Sequence, residues 1–242
     1  MRKVLVTGAS RGLGKDLVKE LNKRGYEVIA SARNVKDLEE LEGVQKISLD
    51  ISNSASVIKA SQEINALDII INNAAISISG AVEVVNIQSA INMFDVNVFG
   101  TLRMFQSFTP KMRKKGKGLI VNISSGTALH SPPLQGIYSA SKAALDRICE
   151  AYQMEVKDFG ISVMQIHSIG IATEMRKTQK VYSTSDYEGL TERVKKMEEH
   201  MKGVQPDILA RAIVNFIDLP PNEYLISVQS LIKEVKSINN ER

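Results

Sequence analysis

The strongest constraint on how this chain can fold is a rhythm: short runs rich in β-branched residues alternate with segments long enough to be amphipathic helices. Lys3 to Thr7, Glu27 to Ser31, Val44 to Leu49, Asp68 to Asn72, Gly118 to Ser124 and Ile161 to His167 read as strands, with helical patterns between them. Strands joined by helix-length connections pair in parallel through right-handed crossovers. Runs as apolar as Ile69-Ile70-Ile71 suit a sheet covered on both faces. The expectation is an α/β fold, a doubly wound parallel sheet with helices on both faces.

A chain of 242 residues with 43% hydrophobic content can build one sizeable core, and no Pro/Gly/Ser-rich linker divides it, so residues 1–242 read as a single domain. Only the stretch from Glu174 to about Gln205 breaks the rhythm. It is polar and charged and carries Tyr182 and Tyr187, as a solvated surface excursion or a lid over a site would. No uninterrupted apolar run approaches the ~18 residues a membrane helix needs, and Val4-Leu5-Val6 is too short for a signal segment. The single Cys149 cannot form an internal disulfide. A soluble, cytoplasmic protein without a membrane partner is expected. His130, His167 and His200 share no metal-ligand spacing, so no metal is expected, and His167 reads as a strand end. The net charge is +4, and its densest basic run, Lys111 to Lys117, closes a helical pattern. Such a run complements the helix dipole, and without interleaved aromatics it offers bases no stacking surface; nucleic acid is not expected as a partner.

Thr7-Gly8-Ala9-Ser10-Arg11-Gly12-Leu13-Gly14 follows the first strand and opens the first helix. In that place a glycine-rich turn brings backbone N–H groups and a helix N-terminus against a pyrophosphate, which makes the sheet Rossmann-type and the ligand a dinucleotide. Gly8 permits the tight turn, Gly12 lets the backbone approach, and Gly14 allows close helix packing. At the end of the second strand an NAD site usually carries an Asp or Glu; here the chain reads Ile29-Ala30-Ser31-Ala32-Arg33-Asn34. Arg33, with Arg11, could instead form charge-assisted bonds to a 2′-phosphate, which selects NADP(H).

Tyr138-Ser-Ala-Ser-Lys142 places a phenol and an ammonium four residues apart. On a helix they share one face, and the cation would lower the phenol pKa from about 10 towards the range where it can exchange a proton with an alcohol or carbonyl. With the glycine turn, Asn72-Asn73-Ala74, Asn97, Ser125 and this pair in order, the chain resembles the short-chain dehydrogenase/reductase family, over residues 1 to about 175. The resemblance implies that Tyr138 is the general acid of carbonyl reduction and the base of the reverse reaction. It implies that Lys142 tunes Tyr138 and holds the nicotinamide ribose, that Ser125 binds the substrate oxygen, and that Asn97 positions a water leading to Lys142. Ser125 is preferred over Ser124 because it stands 13 residues before Tyr138. By the same resemblance Asp50 would contact the adenine, Asn72 and the Ala74 backbone the adenosine ribose, and Ile171 and Thr173 the carboxamide, with Ser10, Leu13 and Ile51 also among the cofactor-binding residues; the alternative for Asp50 is a helix cap or turn residue. Thr127, His130, Gln135 and Met175 would line the substrate cleft with Ser125 and Tyr138.

The chain departs from the family pattern at Ala75, where a glycine is usual, and at Ser168-Ile169, where Pro-Gly is usual. The expected cleft residues, including Leu129, Leu134 and Ile137, are mostly apolar, which favours a neutral carbonyl or alcohol. A 3-oxoacyl thioester reductase is the nearest alternative, and a catalytically silent dinucleotide-sensing regulator is the alternative of another class. Leu145, Ile148, Cys149, Tyr152 and Val156, with Ala140, Ala143 and Ala144, give the catalytic helix two usable faces; the second resembles a subunit interface, and a homodimer or homotetramer through the long helices is expected.

Overall fold

The computed structural model describes residues 1–168, 179–200, 203–218 and 225–240. The chain runs β1 (Lys3–Val6), α1 (Gly12–Lys23), β2 (Glu27–Ala32), β3 (Gln45–Ser48), α2 (Ser54–Glu63), β4 (Ile69–Asn72), β5 (Ile78–Gly80) and α3 (Ile87–Phe94). A π-helical turn at Asp95–Gly100 leads into α4 (Thr101–Lys115), then β6 (Gly118–Ser125), α5 (Gly136–Val156), β7 (Ile161–Ser168) and β8 (Lys180–Tyr182). The described chain closes with α6 (Glu188–His200), α7 (Pro206–Asp218), β9 (Leu225–Ile226) and α8 (Val228–Asn240).

Among the described residues the main sheet has seven strands in the order β3-β2-β1-β4-β6-β7-β9. Each neighbouring pair in it is parallel. The doubly wound sheet expected from the alternation is the one observed. The period-2 pleat sorts the apolar strand residues onto two faces. Val4, Val6, Ile69, Ile71 and Val121 pack against α1, α7 and α8 on one side. Leu5, Ile29, Ile70, Ile120 and Val163 pack against α2, α4 and α5 on the other. Each such side chain contributes about 1.5–3 kcal/mol by leaving water.

Strand order reverses at β1, which lies between β2 and β4. Ligands of open α/β sheets bind where the strand ends splay at such a point. Two elements carry no sequence signal. β5 and β8 pair in parallel as a separate two-stranded ladder, Ile78 opposite Lys180 and Gly80 opposite Tyr182. With three residues each they are too short to show a period. The second strand and α6 show that the polar stretch after residue 174 carries regular structure of its own. The basic run ends α4 and is spent locally: Lys111 donates to the carbonyls of Ser61 and Ile64, and Lys115 pairs with Asp68. Among the described residues no helix is long and apolar enough to cross a membrane.

Gly14 tests how closely α1 sits on the sheet. A Cβ there would lie 2.2 Å from the Gly8 carbonyl oxygen and 2.5 Å from Asn73 Nδ2, both pinned atoms. Gly14→Ala should therefore lose about 1–3 kcal/mol of stability in urea unfolding, as overpacking does, and an unchanged midpoint would show that the contact relaxes freely.

Candidate active site

The turn after β1 is locked from both sides. The Thr7 hydroxyl donates to the Ile71 carbonyl at 3.3 Å and accepts from the N–H groups of Asn73 and Ala74 at 3.0 and 3.1 Å. Asn73 Nδ2 donates to the carbonyls of Thr7 and Gly8 at 3.0 and 3.1 Å. Gly8 has φ +66°, and a Cβ there would meet Ala74 Cα at 2.8 Å, so only glycine fits. Gly12 follows at φ 54°. Arg11, in extended conformation at the start of α1, supplies no side-chain cap, so the first N–H groups of the helix are left for an anion. Ser10 is half-buried beside Arg11, and Leu13 turns inward to the core.

Arg11 and Arg33 are exposed, and among the described residues neither forms an ion pair. Arg33 stands just past β2, its carbonyl held by the Ser48 hydroxyl at 2.9 Å. Asp50 is a turn residue: its Oδ1 accepts from the N–H and hydroxyl of Ser52, at 2.9 and 2.7 Å, while Asn53 caps α2. Ile51 is buried behind it. Asn72 is buried, and its amide donates to Asn122 Oδ1 at 2.8 Å. Its side chain thus stands on the α5 face of the sheet, where Asn122 in turn reaches Cys149 Sγ at 3.2 Å. Ala75 is half-buried in the turn that leads to β5.

Tyr138 and Lys142 lie together on α5, and Asn97 reaches the same helix through Ser141. Lys142 Nζ lies 5.9 Å from the centre of the Tyr138 ring and donates to the Ile123 carbonyl at 2.9 Å. It is 4% exposed, and burial pulls its pKa down to about 8, with Asp146 and Cys149 acting in the opposite direction. Asn97 sits in the π-helical turn and is 1% exposed. Its Nδ2 donates to the Ile76 carbonyl at 2.9 Å and to Ser141 Oγ at 3.1 Å, and its Oδ1 accepts from the Ile76 N–H at 2.9 Å. The Ser141 hydroxyl in turn donates to the Tyr138 carbonyl at 2.7 Å. The Asn97 side chain is thus a brace between the β4–β5 connection and the helix that carries Tyr138.

Ser125 ends β6, two residues past the carbonyl that Lys142 grips. Its oxygen accepts from the Thr127 N–H at 3.2 Å and from Thr127 Oγ1 at 2.9 Å, which leaves its own proton to donate. Ser124 is buried, and its hydroxyl donates inward to Asp146 Oδ1 at 2.5 Å. The neighbouring serines therefore point to opposite environments. Of the expected substrate residues, Thr127 is engaged with Ser125, His130 is exposed, and Gln135 precedes α5, where its carbonyl accepts from the Ser139 N–H at 2.8 Å. Met175, Ile171 and Thr173 lie outside the described residues, as does Ile169; Ser168 holds the end of β7 by donating to the Ser124 carbonyl at 2.8 Å.

Two groups were not singled out in the sequence as parts of the site. The first is a buried cluster under α5, in which Asp146 accepts from Ser124 and Gln165 and contacts His167 Nε2 at 2.6 Å. Among the described residues no group of three or more His, Cys, Asp and Glu could hold a metal. The second is the β5–β8 ladder, tied down by Ser77 to Gln179 at 2.9 Å, Tyr182 with Ser89 at 2.5 Å and Tyr187 to Glu83 at 2.6 Å. Tyr182 packs there with Tyr138, Ile137 and Ile78. A spacing of one helical turn from Lys142 to Asp146 was visible in the sequence, but nothing in it pointed to the β7 partners.

Comparison with known proteins agrees with this arrangement. Residues 2–183 match the family model of short chain dehydrogenases. The 3-ketodihydrosphingosine reductase of Bacteroides thetaiotaomicron is 32% identical over 224 residues, which cover 88% of this chain and 82% of that protein. A short-chain dehydrogenase from Streptomyces avermitilis superposes with a TM-score of 0.85 at 26% identity, covering 99% of this chain and 93% of the other. A Burkholderia cenocepacia short chain dehydrogenase in complex with NADP gives 0.78 at 25% identity, with 99% and 93% covered. The chain belongs to the short-chain dehydrogenase/reductase family and at that level is an oxidoreductase.

The brace is open to direct measurement. Asn97→Ala leaves the Ile76 N–H and carbonyl and the Ser141 hydroxyl without their partner, so urea unfolding should show a loss of about 3 kcal/mol. A loss under about 0.5 kcal/mol, the range of an ordinary surface substitution, would mean that the brace is dispensable.

Proposed function

We propose that the protein is an NADP(H)-dependent oxidoreductase that interconverts a neutral, apolar carbonyl compound and its alcohol. The observation that carries the reading is the buried Lys142 ammonium set against the Tyr138 ring, with Ser125 two residues past the Ile123 carbonyl that Lys142 grips and its hydroxyl proton left to donate. In reduction Tyr138 gives its phenolic proton to the carbonyl oxygen, Ser125 donates a hydrogen bond to the same oxygen, and Lys142 stabilises the phenolate left behind. The cofactor supplies the hydride when bound. In the opposite direction Tyr138 takes the proton from the alcohol.

The cofactor half rests on the fit of the turn. The close approach of Gly8 to Ala74, the uncapped start of α1 and two exposed guanidiniums without ion-pair partners among the described residues suit a pyrophosphate and a 2′-phosphate. The Burkholderia relative holds NADP, as its description states. On the substrate side, Ile78, Val85 and Met93 form an apolar cluster with Ile137, Tyr138 and Tyr182, which favours a ketone on an apolar chain. The reductase activity named for the Bacteroides relative is consistent with a ketone substrate. A 3-oxoacyl thioester is an alternative substrate of the same chemistry, whereas a silent dinucleotide sensor would have no use for a buried lysine. We take residues 1–242 as one NADP-binding domain, with about 174–205 as the substrate lid. Half-exposed Phe99 and exposed Met154 near the long helices suit a homodimer or homotetramer.

A screen of carbonyl compounds with NADPH, read at the nicotinamide absorbance, should find turnover. Tyr138→Phe should lower it by about a hundred- to ten-thousand-fold while NADPH still binds, and normal turnover in that variant would reject the mechanism. Arg33→Ala should weaken NADPH binding about tenfold to a hundredfold with NADH binding unchanged; an unaltered NADPH/NADH ratio would remove Arg33 from cofactor selection.

A further inference from the structure

The reading above needs Lys142 to carry its proton, yet Lys142 is buried, and burial favours the neutral amine. The Ile123 carbonyl compensates with one hydrogen bond but no charge. The charged and titratable groups that face Lys142 are few. Tyr138 lies one turn before it on α5, and Asp146 and Cys149 lie one and two turns after. From β7 comes His167, from β6 only the uncharged Ser124 and Ser125, and from the π turn the amide of Asn97. Arg147 and Glu150 pair with each other at 2.6 Å on the exposed side of the helix.

Asp146 is built to be an anion. It is 4% exposed, and its two oxygens meet Ser124 Oγ at 2.5 Å, Gln165 Nε2, and His167 Nε2 at 2.6 Å. The two carboxylate oxygens have lone pairs enough to accept all three contacts. The cluster also fixes the histidine. His167 Nδ1 is buried without a hydrogen-bond partner among the described residues, and Nε2 is the nitrogen that faces the carboxylate. Cys149 competes for no charge: burial and the nearby Asp146 push its thiol up, and Asn122 Nδ2 lies 3.2 Å from its sulfur. Among the described residues this leaves Lys142 and Asp146 as the buried basic and acidic side chains of the cluster, a helical turn apart.

We propose that Asp146, held by Ser124, Gln165 and His167, is the counter-charge that keeps Lys142 protonated, and so a positioning residue that acts on Tyr138 through Lys142. This rests on the reductase reading for its consequence but not for its measurement. The Lys142 ammonium is titrated directly by NMR of protein carrying 13C-labelled lysine, with the resonance assigned by its loss in Lys142→Arg. In Asp146→Asn, which keeps the shape and drops the charge, the Lys142 midpoint should fall by about one pH unit, a tenfold weaker hold on the proton. The alkaline limb of carbonyl reduction should move down with it, with the Km for NADPH unchanged. Asp146→Ser, smaller and uncharged, should lower the midpoint in the same direction; this variant carries the test if Asp146→Asn does not fold. A Lys142 midpoint that stays put in either folded variant overturns the proposal, even where turnover falls, because the cluster would then be structural only. If no carbonyl compound is turned over but the midpoint shifts as described, the reductase reading fails and the counter-charge stands.

Discussion

The rest of the site depends on one buried charge. A lysine ammonium removed from water costs several kcal/mol unless polar groups replace its hydration, and proteins usually avoid the situation by losing the proton or leaving the side chain at the surface. Here the Lys142 stem crosses from α5 to the strand carbonyl of Ile123, so that the ammonium sits under the sheet end where Ser125 emerges. That crossing ties the helix that carries Tyr138 to the strand that ends in Ser125. The 21-residue length of α5 has a matching purpose, since its later turns bury Leu145, Cys149 and Val156 against the sheet and anchor the segment that carries the charge. Tyr152 reinforces the anchor by stacking on Phe105 at 4.6 Å and donating to Thr109 at 2.6 Å.

The same economy governs the turn after β1. Backbone N–H groups can cradle an anion only if the loop that presents them does not need them for itself. Thr7 and Asn73 take over that need: the carbonyls and N–H groups of the strand ends are satisfied by two side chains that come from β1 and from just past β4. The turn is therefore rigid before any ligand arrives, and less ordering has to accompany binding. Arg11 and Arg33 are left at its rim with their charge uncommitted among the described residues.

Much of this was legible in the sequence because it is periodic or local. Six of the seven main-sheet strands announced themselves by β-branched runs bounded by helix-length gaps, with observed ends within one residue of the expected ones, whereas β9, two residues long, did not. The Tyr138–Lys142 pair was legible because both residues lie on one helix, where spacing is geometry. The Asp146 cluster was not, because its members come from α5, β6 and β7, and only the lateral order of the strands brings Gln165 and His167 under the helix. The π turn escaped for another reason: a single widened turn leaves no mark on an apolar periodicity. Ser124 and Ser125 show the limit of local reading most clearly. Spacing chose between them, but the physical reason is the strand pleat, which turns one hydroxyl to Asp146 and the other to the cleft.

The cleft side of the structure carries its own constraint. Leu134 is the one described non-glycine residue with positive φ, at 67°, in a turn closed by the Gln135 N–H on the Pro132 carbonyl at 3.1 Å. That backbone costs roughly 1–2 kcal/mol for a leucine, and glycine would relieve it. The leucine side chain, however, is buried, which offsets a comparable amount, and its carbonyl accepts from the Gly80 N–H at 2.8 Å. The strained turn thereby links the β5–β8 ladder to Gln135 and Gly136, where α5 begins two residues before Tyr138. On the opposite side Asn97 links Ile76, just before β5, to Ser141, just after Tyr138. Both ties run from the connection after β4 to the first turns of α5, so the wall of the cleft and the phenol within it are positioned as one piece.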